Sequence, residues 1–138
     1  MNIEKELRAA NDQFYAALNA MFTGDLAPMN AIWSHGEDVS NQGPFGDRMD
    51  GWAAVKAQFK KEADMMLGGR VTCQALIVRA GKDLGYTVCV EKGENMTAAG
   101  KPVEVSHRAT NVFRLENGQW RLVHHHTDLS PQLERAAT

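Results

Sequence analysis

Apolar side chains recur at helical spacing in three stretches of the first half of the chain. Residues 3–23, 26–33 and 51–67 each present one apolar face, which predicts three amphipathic helices. The stripe of the first stretch includes Leu7, Phe14, Leu18 and Met21. Glycines at 24 and 68 follow the first and third stretches, where a helix commonly ends.

The second half of the chain alternates apolar and polar residues, as strands do. Residues 70–80 and 84–94 are joined by a short turn, and residues 102–116 and 119–127 are joined by Asn117-Gly118. Asn-Gly is a strong signal for a two-residue hairpin. The pattern therefore predicts two antiparallel hairpins, followed by a capped turn at Ser130 and Pro131.

The segment 34–50 between the second and third helices contains three glycines and one proline. It predicts a long loop with at most one short strand, near residues 38–41. Helices followed by a run of strands indicate an α+β domain in the order α-α-β-α-β-β-β-β. We expect the N-terminal helices to pack on a strongly curved antiparallel or mixed sheet.

Composition narrows the class of protein. A chain of 138 residues is the size of one domain, expected to span 1–138. Lys plus Arg number 15 and Asp plus Glu number 17, which leaves a net charge of −2 and argues against nucleic acid or an anionic membrane as partner.

No apolar run approaches the roughly 18 residues of a membrane span, and the N-terminus lacks a secretory pattern. A cytoplasmic location is expected, with Cys73 and Cys89 as free thiols.

Three stretches of the sequence carry a family resemblance. They are Y-A-A-L-N-A-M-F-T-G-D-L at 15–26, W-S-H at 33–35 leading to G-W-A-A-V at 51–55, and the last hairpin from Arg108 to Asp128. In this order they resemble the nuclear-transport-factor-like superfamily with its cystatin-like cone fold, in the SnoaL-like and ketosteroid-isomerase-like branch. The resemblance covers nearly the whole chain. It implies a fold more than a reaction, because this fold supports several chemistries.

The Asn117-Gly118 turn predicts the faces of the last hairpin. A two-residue loop makes paired residue numbers sum to 235 and fixes which side chains share a face. The predicted cavity-facing side chains are His107, Asn111, Phe113, His124 and His126. The predicted outer face holds Thr110, Val112, Val123 and His125, and we expect it to form a homodimer. A β-bulge would invert the assignment beyond it.

Candidate chemistry follows from these faces. His107, His124 and His126 are predicted acids or bases, and the resemblance places Tyr15 where ketosteroid isomerases have a hydrogen-bond donor to an oxyanion. A core tyrosine is the alternative. Predicted ligand contacts are Trp33, His35, Phe45, Asn111 and Phe113. Phe45 is read as a lid over the cavity or as a dimer contact.

Two classes of site are not supported by the sequence. The isomerases of this fold use a carboxylate base on the first strand, where this chain has Ser40, Asn41 and Gln42, and a carboxylic acid in the region that here spans 107–111. The steroid-isomerase mechanism is therefore doubtful. His124 and His126 alone do not complete a ligand set, so no metal and no cofactor is predicted.

These observations predict a pocket for a small hydrophobic organic molecule. The enzyme hypothesis is cofactor-free proton transfer of isomerase, cyclase or hydratase type. The alternative is a non-catalytic ligand-binding or dimerisation module.

Overall fold

The computed structural model describes residues 2–128. The helices are α1 (Ile3–Met21), α2 (Ala27–Ile32) and α3 (Trp52–Asp64). The strands are β1 (Ser40–Gln42), β2 (Met49–Asp50), β3 (Arg70–Ala80), β4 (Leu84–Ala98), β5 (Lys101–Glu116) and β6 (Gln119–Asp128). The three predicted helices and four long strands are confirmed. The predicted loop 34–50 contains two short strands instead of at most one, and the predicted turn at Ser130 and Pro131 lies outside the described residues.

Local sequence explains where α1 begins and ends. The side chain of Asn2 accepts a hydrogen bond from the backbone N–H of Lys5 at 3.1 Å and caps the first turn. Gly24 takes a φ of 95°, which a residue with a Cβ rarely adopts, and turns the chain toward α2. The apolar stripe of α1 is then free to pack against the sheet.

The six strands form one mixed sheet in the order β2-β1-β6-β5-β4-β3. β1 runs parallel to β6, and the other neighbouring pairs are antiparallel. The sheet does not close on itself, because β2 and β3 remain at its two edges. The predicted α+β class with helices on a curved mixed sheet is confirmed.

Three irregularities interrupt the long strands. They lie between Gln74 and Ile77, between Gly93 and Met96, and opposite the step from Val112 to Phe113. A bulge bends its strand and increases the local twist, so three bulges curve the sheet around α1. The most buried large side chains fill this concavity: Leu7, Phe14, Met21, Met29, Trp33, Phe113 and Leu122.

The bulge in the last hairpin corrects the predicted register. Leu115 pairs with Trp120 and Phe113 with Leu122, so the sum is 235 near the turn, as predicted. Beyond the bulge Val112 pairs with His124 and Asn111 with His125, so the sum becomes 236. The extra residue is Val123, which is buried in the core rather than placed on an outer interface.

The predicted positions of the three consecutive histidines are therefore wrong. His125 points inward and is buried, while His124 and His126 lie on the outer face of the sheet. The physical reason is that one inserted residue reverses the inside-outside alternation of every later residue in the strand. The extra residue lies in β6, so the inside-outside alternation of β5 is not interrupted. The predicted faces of the β5 residues are therefore unchanged.

Cross-strand pairing defines an apolar patch on the outer face of the sheet. Tyr86 pairs with Val112, and Val88 pairs with both Ile77 and Thr110. We call these five residues the outer-face patch. Tyr86 and Ile77 are exposed in the single chain. Among residues 2–128, no helix has the length and apolar character needed to cross a membrane.

Candidate functional site

Two polar side chains interrupt the buried face of α1. Asn11 and Tyr15 lie one turn apart, so both point toward the sheet. Asn11 Oδ1 accepts a hydrogen bond from Thr87 Oγ1 at 2.7 Å, and Asn11 Nδ2 lies 3.6 Å from Cys73 Sγ. The helix therefore brings hydrogen-bonding groups into the apolar core at a defined place on β3 and β4.

Tyr15 holds a buried carboxylate. Its hydroxyl donates to Glu91 Oε2 at 2.8 Å and also lies 3.1 Å from Cys89 Sγ. Glu91 is only 3% exposed. Two imidazoles flank the same carboxylate: His107 Nδ1 lies 3.7 Å from Oε1, and His125 Nε2 lies 3.7 Å from Oε2.

Strand pairing explains this arrangement. Glu91 on β4 is directly opposite His107 on β5, and Asn111 on β5 is directly opposite His125 on β6. Asn111 Nδ2 donates to Tyr15 Oη at 3.2 Å, and Asn111 Oδ1 lies 2.5 Å from His125 Nδ1. Because Asn111 Oδ1 is an acceptor, His125 must carry its proton on Nδ1. We call Asn11, Tyr15, Thr87, Glu91, Asn111 and His125 the buried polar network.

Electrostatics assigns a protonation state to each titratable group of the network. Burial raises the pKa of the Tyr15 hydroxyl above its ordinary value, and the Glu91 charge raises it further. Burial also favours a higher pKa for Glu91, but the two neighbouring imidazoles, His107 first and then His125, and the hydrogen bond from the Tyr15 hydroxyl outweigh it and lower that pKa. Burial lowers the pKa of His125, against the attraction of Glu91. At neutral pH the network therefore contains a carboxylate, a protonated tyrosine and a neutral imidazole.

A cavity of about 210 Å³ lies beside this network. Glu91, His107 and His125 contribute polar groups to its wall. The apolar lining comes from the helices, the concave face of the sheet and the loop before α3: Phe14, Leu18, Phe22, Met29, Phe45, Phe59, Leu67, Val71, Met96, Val103 and Val105. A mostly apolar space with a few polar groups is typical of a small-molecule site.

The loop between β1 and β2 and helix α3 complete the wall. Phe45 and Asn41 line the cavity from the loop side. Glu62 of α3 also lines it and is only 5% exposed. Burial raises the pKa of the Glu62 carboxyl to about 7, against a hydrogen bond from Gln58 that favours a lower value. The cavity thus has two buried carboxyl groups in different surroundings.

The structure brings two of the nine predicted site residues to the cavity wall, namely His107 and Phe45. Tyr15 and Asn111 lie in the buried polar network, where the Tyr15 proton is already donated to Glu91. The direct oxyanion contact predicted for Tyr15 is therefore not supported by its position.

The other predicted residues lie elsewhere. Trp33 and Phe113 belong to the core, and the Trp33 ring meets Phe59 edge to face at 5.4 Å. His35 stacks on Trp52 at 4.3 Å near the surface, and the nearby Asp38 pairs with Arg114 at 2.6 Å. On the outer face, the Nδ1 of His124 lies 2.7 Å from Ser40 Oγ.

Sequence reasoning missed Glu91, His125 and Glu62. Alternation along β4 suggests the wrong face for Glu91, because the larger apolar residues Tyr86 and Val88 point outward. The signal that could have located it is the pairing of β4 with β5, which sets Glu91 opposite His107. Residues 40–42 and 107–111, where the resemblance places the isomerase carboxylates, contain no aspartate or glutamate, and the buried acid beside Tyr15 is Glu91 on β4.

Cys73 and Cys89 are free, as predicted. Within residues 2–128, no group of three or more histidine, cysteine, aspartate and glutamate side chains is arranged to hold a metal ion.

Comparisons with known proteins identify the family and the fold of the chain. A family model for a SnoaL-like domain matches residues 7–130. A Thiobacillus denitrificans structure, described as a candidate calcium/calmodulin-dependent protein kinase type II association domain, is 28% identical and covers 89% of this chain and 94% of its own, with a TM-score of 0.73. A search of curated proteins finds no match.

Two further structures share the fold. A candidate dehydratase of the NTF2-like family from Streptomyces avermitilis is 24% identical and covers 92% of this chain and 96% of its own, with a TM-score of 0.76. A calcium/calmodulin-dependent protein kinase II hub from S. rosetta is 20% identical and covers 93% and 97%, with a TM-score of 0.71. One of the two carries the name of an enzyme class and the other that of an assembly module, which is consistent with one fold supporting different functions.

Proposed function

The chain belongs to the SnoaL-like domain family, and from this premise we propose that its cavity binds a small hydrophobic organic molecule with which His107 exchanges a proton. The observation that carries the proposal is a histidine-glutamate pair in the wall of an otherwise largely apolar cavity. Such a wall excludes water from most of the ligand and leaves a few titratable groups, His107 among them, to act on it.

Each member of the pair has a distinct task. His107 is the proposed acid or base because it lines the cavity and an imidazole can both accept and donate a proton. Glu91 is a positioning residue for the imidazole, because its carboxylate lies 3.7 Å from His107 Nδ1. Tyr15 is a positioning residue that holds Glu91 through the 2.8 Å hydrogen bond.

The reaction class follows from proton transfer alone. His107 takes a proton from a carbon next to an electron-withdrawing group, and the substrate retains the electron pair. Return of the proton from His107 to another atom isomerises the substrate, whereas its transfer to a departing hydroxyl group on the neighbouring carbon releases water and completes a dehydration. Proton transfer of isomerase, cyclase or hydratase type is therefore the proposed activity.

The test compares two variants in which a histidine is replaced by glutamine, one at the cavity and one on the outer face of the sheet. Small cyclic ketones are incubated with the protein in D₂O, and loss of their α-proton signals is followed by NMR. We expect the wild type to accelerate the exchange and His107→Gln to lower the rate by about 100-fold. His126→Gln is the matched control, because His126 lies on the outer face, and it should leave the rate unchanged.

Two results would contradict the catalytic proposal. One is an exchange rate that survives His107→Gln. The other is binding of the ketones with no exchange above the buffer rate, which would favour the alternative of a non-catalytic ligand-binding module.

A second proposed function, self-association, has its own supporting observations. The outer-face patch presents exposed Tyr86 and Ile77 beside Val88 and Val112, although apolar residues in a strand normally face the core. The 28%-identical relative described as an association domain supports the same idea. We propose that two copies of the chain associate through this patch. His125 and Val123, predicted in this interface from the sequence, lie in the interior instead.

The dimer is tested by placing a charge in the patch. Tyr86→Glu should convert a dimer into a monomer in sedimentation experiments at micromolar concentration, because an unpaired buried charge is costly. Met65→Glu is the control, since Met65 is also an exposed apolar residue but lies at the end of α3. A wild type that sediments as a monomer would refute this proposal.

A further inference from the structure

Apart from the imidazoles, the ionisable side chains that line the cavity are all carboxylic acids. Glu62 and Glu91 are buried in its wall, and Glu104 lies exposed at its margin. No lysine or arginine lies among the described residues that line it. A carboxylate ligand would therefore meet only like charges and no strong cationic partner.

Asn41, another polar residue of the cavity wall, has a side-chain oxygen without a hydrogen-bond partner in the described part of the chain. Asn41 lines the cavity and is 3% exposed, and its Oδ1 accepts no hydrogen bond from any residue between 2 and 128. A buried acceptor left unsatisfied is unusual, because it loses its hydrogen bonds to water without replacement. The wall therefore contains an unsatisfied acceptor in addition to its carboxyl groups.

The two buried carboxyl groups differ in how many hydrogen bonds and neighbouring charges stabilise their ionised form. Glu91 accepts a hydrogen bond from Tyr15 and has two imidazoles nearby. Glu62 has Gln58 as a hydrogen-bonding neighbour, and burial raises its pKa to about 7, so its charged form is poorly stabilised by its surroundings. A cation placed in the cavity would stabilise that charged form.

From these observations we infer that the cavity takes a small apolar amine, bound as the ammonium ion with Glu62 as its counter-ion. The inference rests on the proposed ligand cavity and names the class of its ligand. Phenylalanines 14, 22, 45 and 59 line the same space and add ring surfaces that attract an ammonium group. The size is suitable, since cavities of roughly 150 Å³ hold a benzene-sized ring.

The test uses three probes of similar shape that differ in charge: 2-phenylethylamine, 2-phenylethanol and 3-phenylpropionate. Binding to the full chain is measured by calorimetry at pH 8. The amine should bind at least about 10-fold more tightly than the alcohol, and the carboxylate more weakly than either. Glu62→Gln should remove this preference by weakening the amine about 10-fold, while the alcohol binds as before.

Asp64→Asn is the matched control, because Asp64 is an exposed carboxylate two residues further along α3 and is absent from the cavity wall. It should change none of the three affinities. Unchanged alcohol binding also shows that the cavity of Glu62→Gln is intact. If Glu62→Gln weakened the amine and the alcohol equally, Glu62 would be structural and the inference would be overturned.

The remaining outcomes separate this inference from the proposed function. If the alcohol or the carboxylate binds best, the amine preference is refuted while the ligand cavity stands. If none of the three probes binds, the cavity is not a ligand site for such molecules, and both statements fail.

Discussion

Glu62 and Glu91 line the same cavity and are almost equally buried, at 5% and 3% exposure. Their pKa values nevertheless shift in opposite directions, upward for Glu62 and downward for Glu91. Burial is the largest single influence on both carboxyl groups, and it acts in the same direction on each. The difference therefore comes from the neighbouring groups and not from the depth of burial.

The elements that carry the two residues explain the contrast. Glu91 lies in the middle of β4, where β5 contributes His107, β6 contributes His125 and α1 contributes Tyr15. Glu62 lies in the last turn of α3, with Gln58 one turn earlier as its hydrogen-bonding neighbour. A buried carboxylate is stable where several elements converge on it, whereas a single helix turn supplies little compensation.

The largest expected effect comes from changing the well-compensated residue. Glu91→Gln keeps the shape but removes the charge that Tyr15, His107 and His125 surround. We expect it to lower the free energy of unfolding at pH 7 by about 3 kcal/mol, measured by urea denaturation. Because the pKa of Glu91 is depressed in the folded state, this stabilisation should decrease as the pH falls below about 4.5. A loss under about 1 kcal/mol would show that Tyr15, His107 and His125 do not stabilise the Glu91 carboxylate as their positions indicate.

A smaller effect of opposite sign is expected at Glu62. Its pKa is about 7 in the folded protein against an ordinary value of 4.5, so the wild type loses stability as the pH rises through this interval. Glu62→Gln lacks the titrating group. Its unfolding free energy relative to wild type should therefore increase by about 2 kcal/mol between pH 4.5 and pH 8. Asp64→Asn, with its exposed carboxylate, should show no such trend.

The smallest expected effect tests how much the Tyr15 hydrogen bond contributes to the stability of the Glu91 carboxylate. Tyr15→Phe removes the hydrogen bond to Glu91 and leaves the ring in the core. It should lower stability by about 1.5 kcal/mol, which is typical for a hydrogen bond to a charged group. It should also raise the pKa of the Glu91 carboxyl, followed by carbon NMR. Tyr86→Phe provides the comparison, because Tyr86 is exposed, and it should change neither quantity.

The last hairpin shows how far the sequence alone predicts this site. Asn117-Gly118 correctly predicted the pairing of Leu115 with Trp120, and the predicted faces of β5 hold as far as His107. The same rule gave the wrong face for His124 and His126, because the bulge at Val123 intervenes. Consecutive histidines have no difference in polarity that would reveal such a shift.

The sequence by itself determined the elements and the class of fold. Helical stripes, alternating strands and turn residues are local signals, and each acts over a few neighbouring residues. The family resemblance carried by residues 15–26, 33–55 and 108–128 added the topology, and the family model confirms it.

Only the tertiary structure decided which side chains meet at the cavity. His107, Glu91 and Tyr15 come from β5, β4 and α1, and Glu62 reaches the same space from α3. Their approach depends on bulges, sheet curvature and the position of α1 across the sheet, which are set by packing between residues far apart in the chain. Polarity along one strand does not encode those distances, so a buried glutamate on β4 and an inward His125 became visible only in three dimensions.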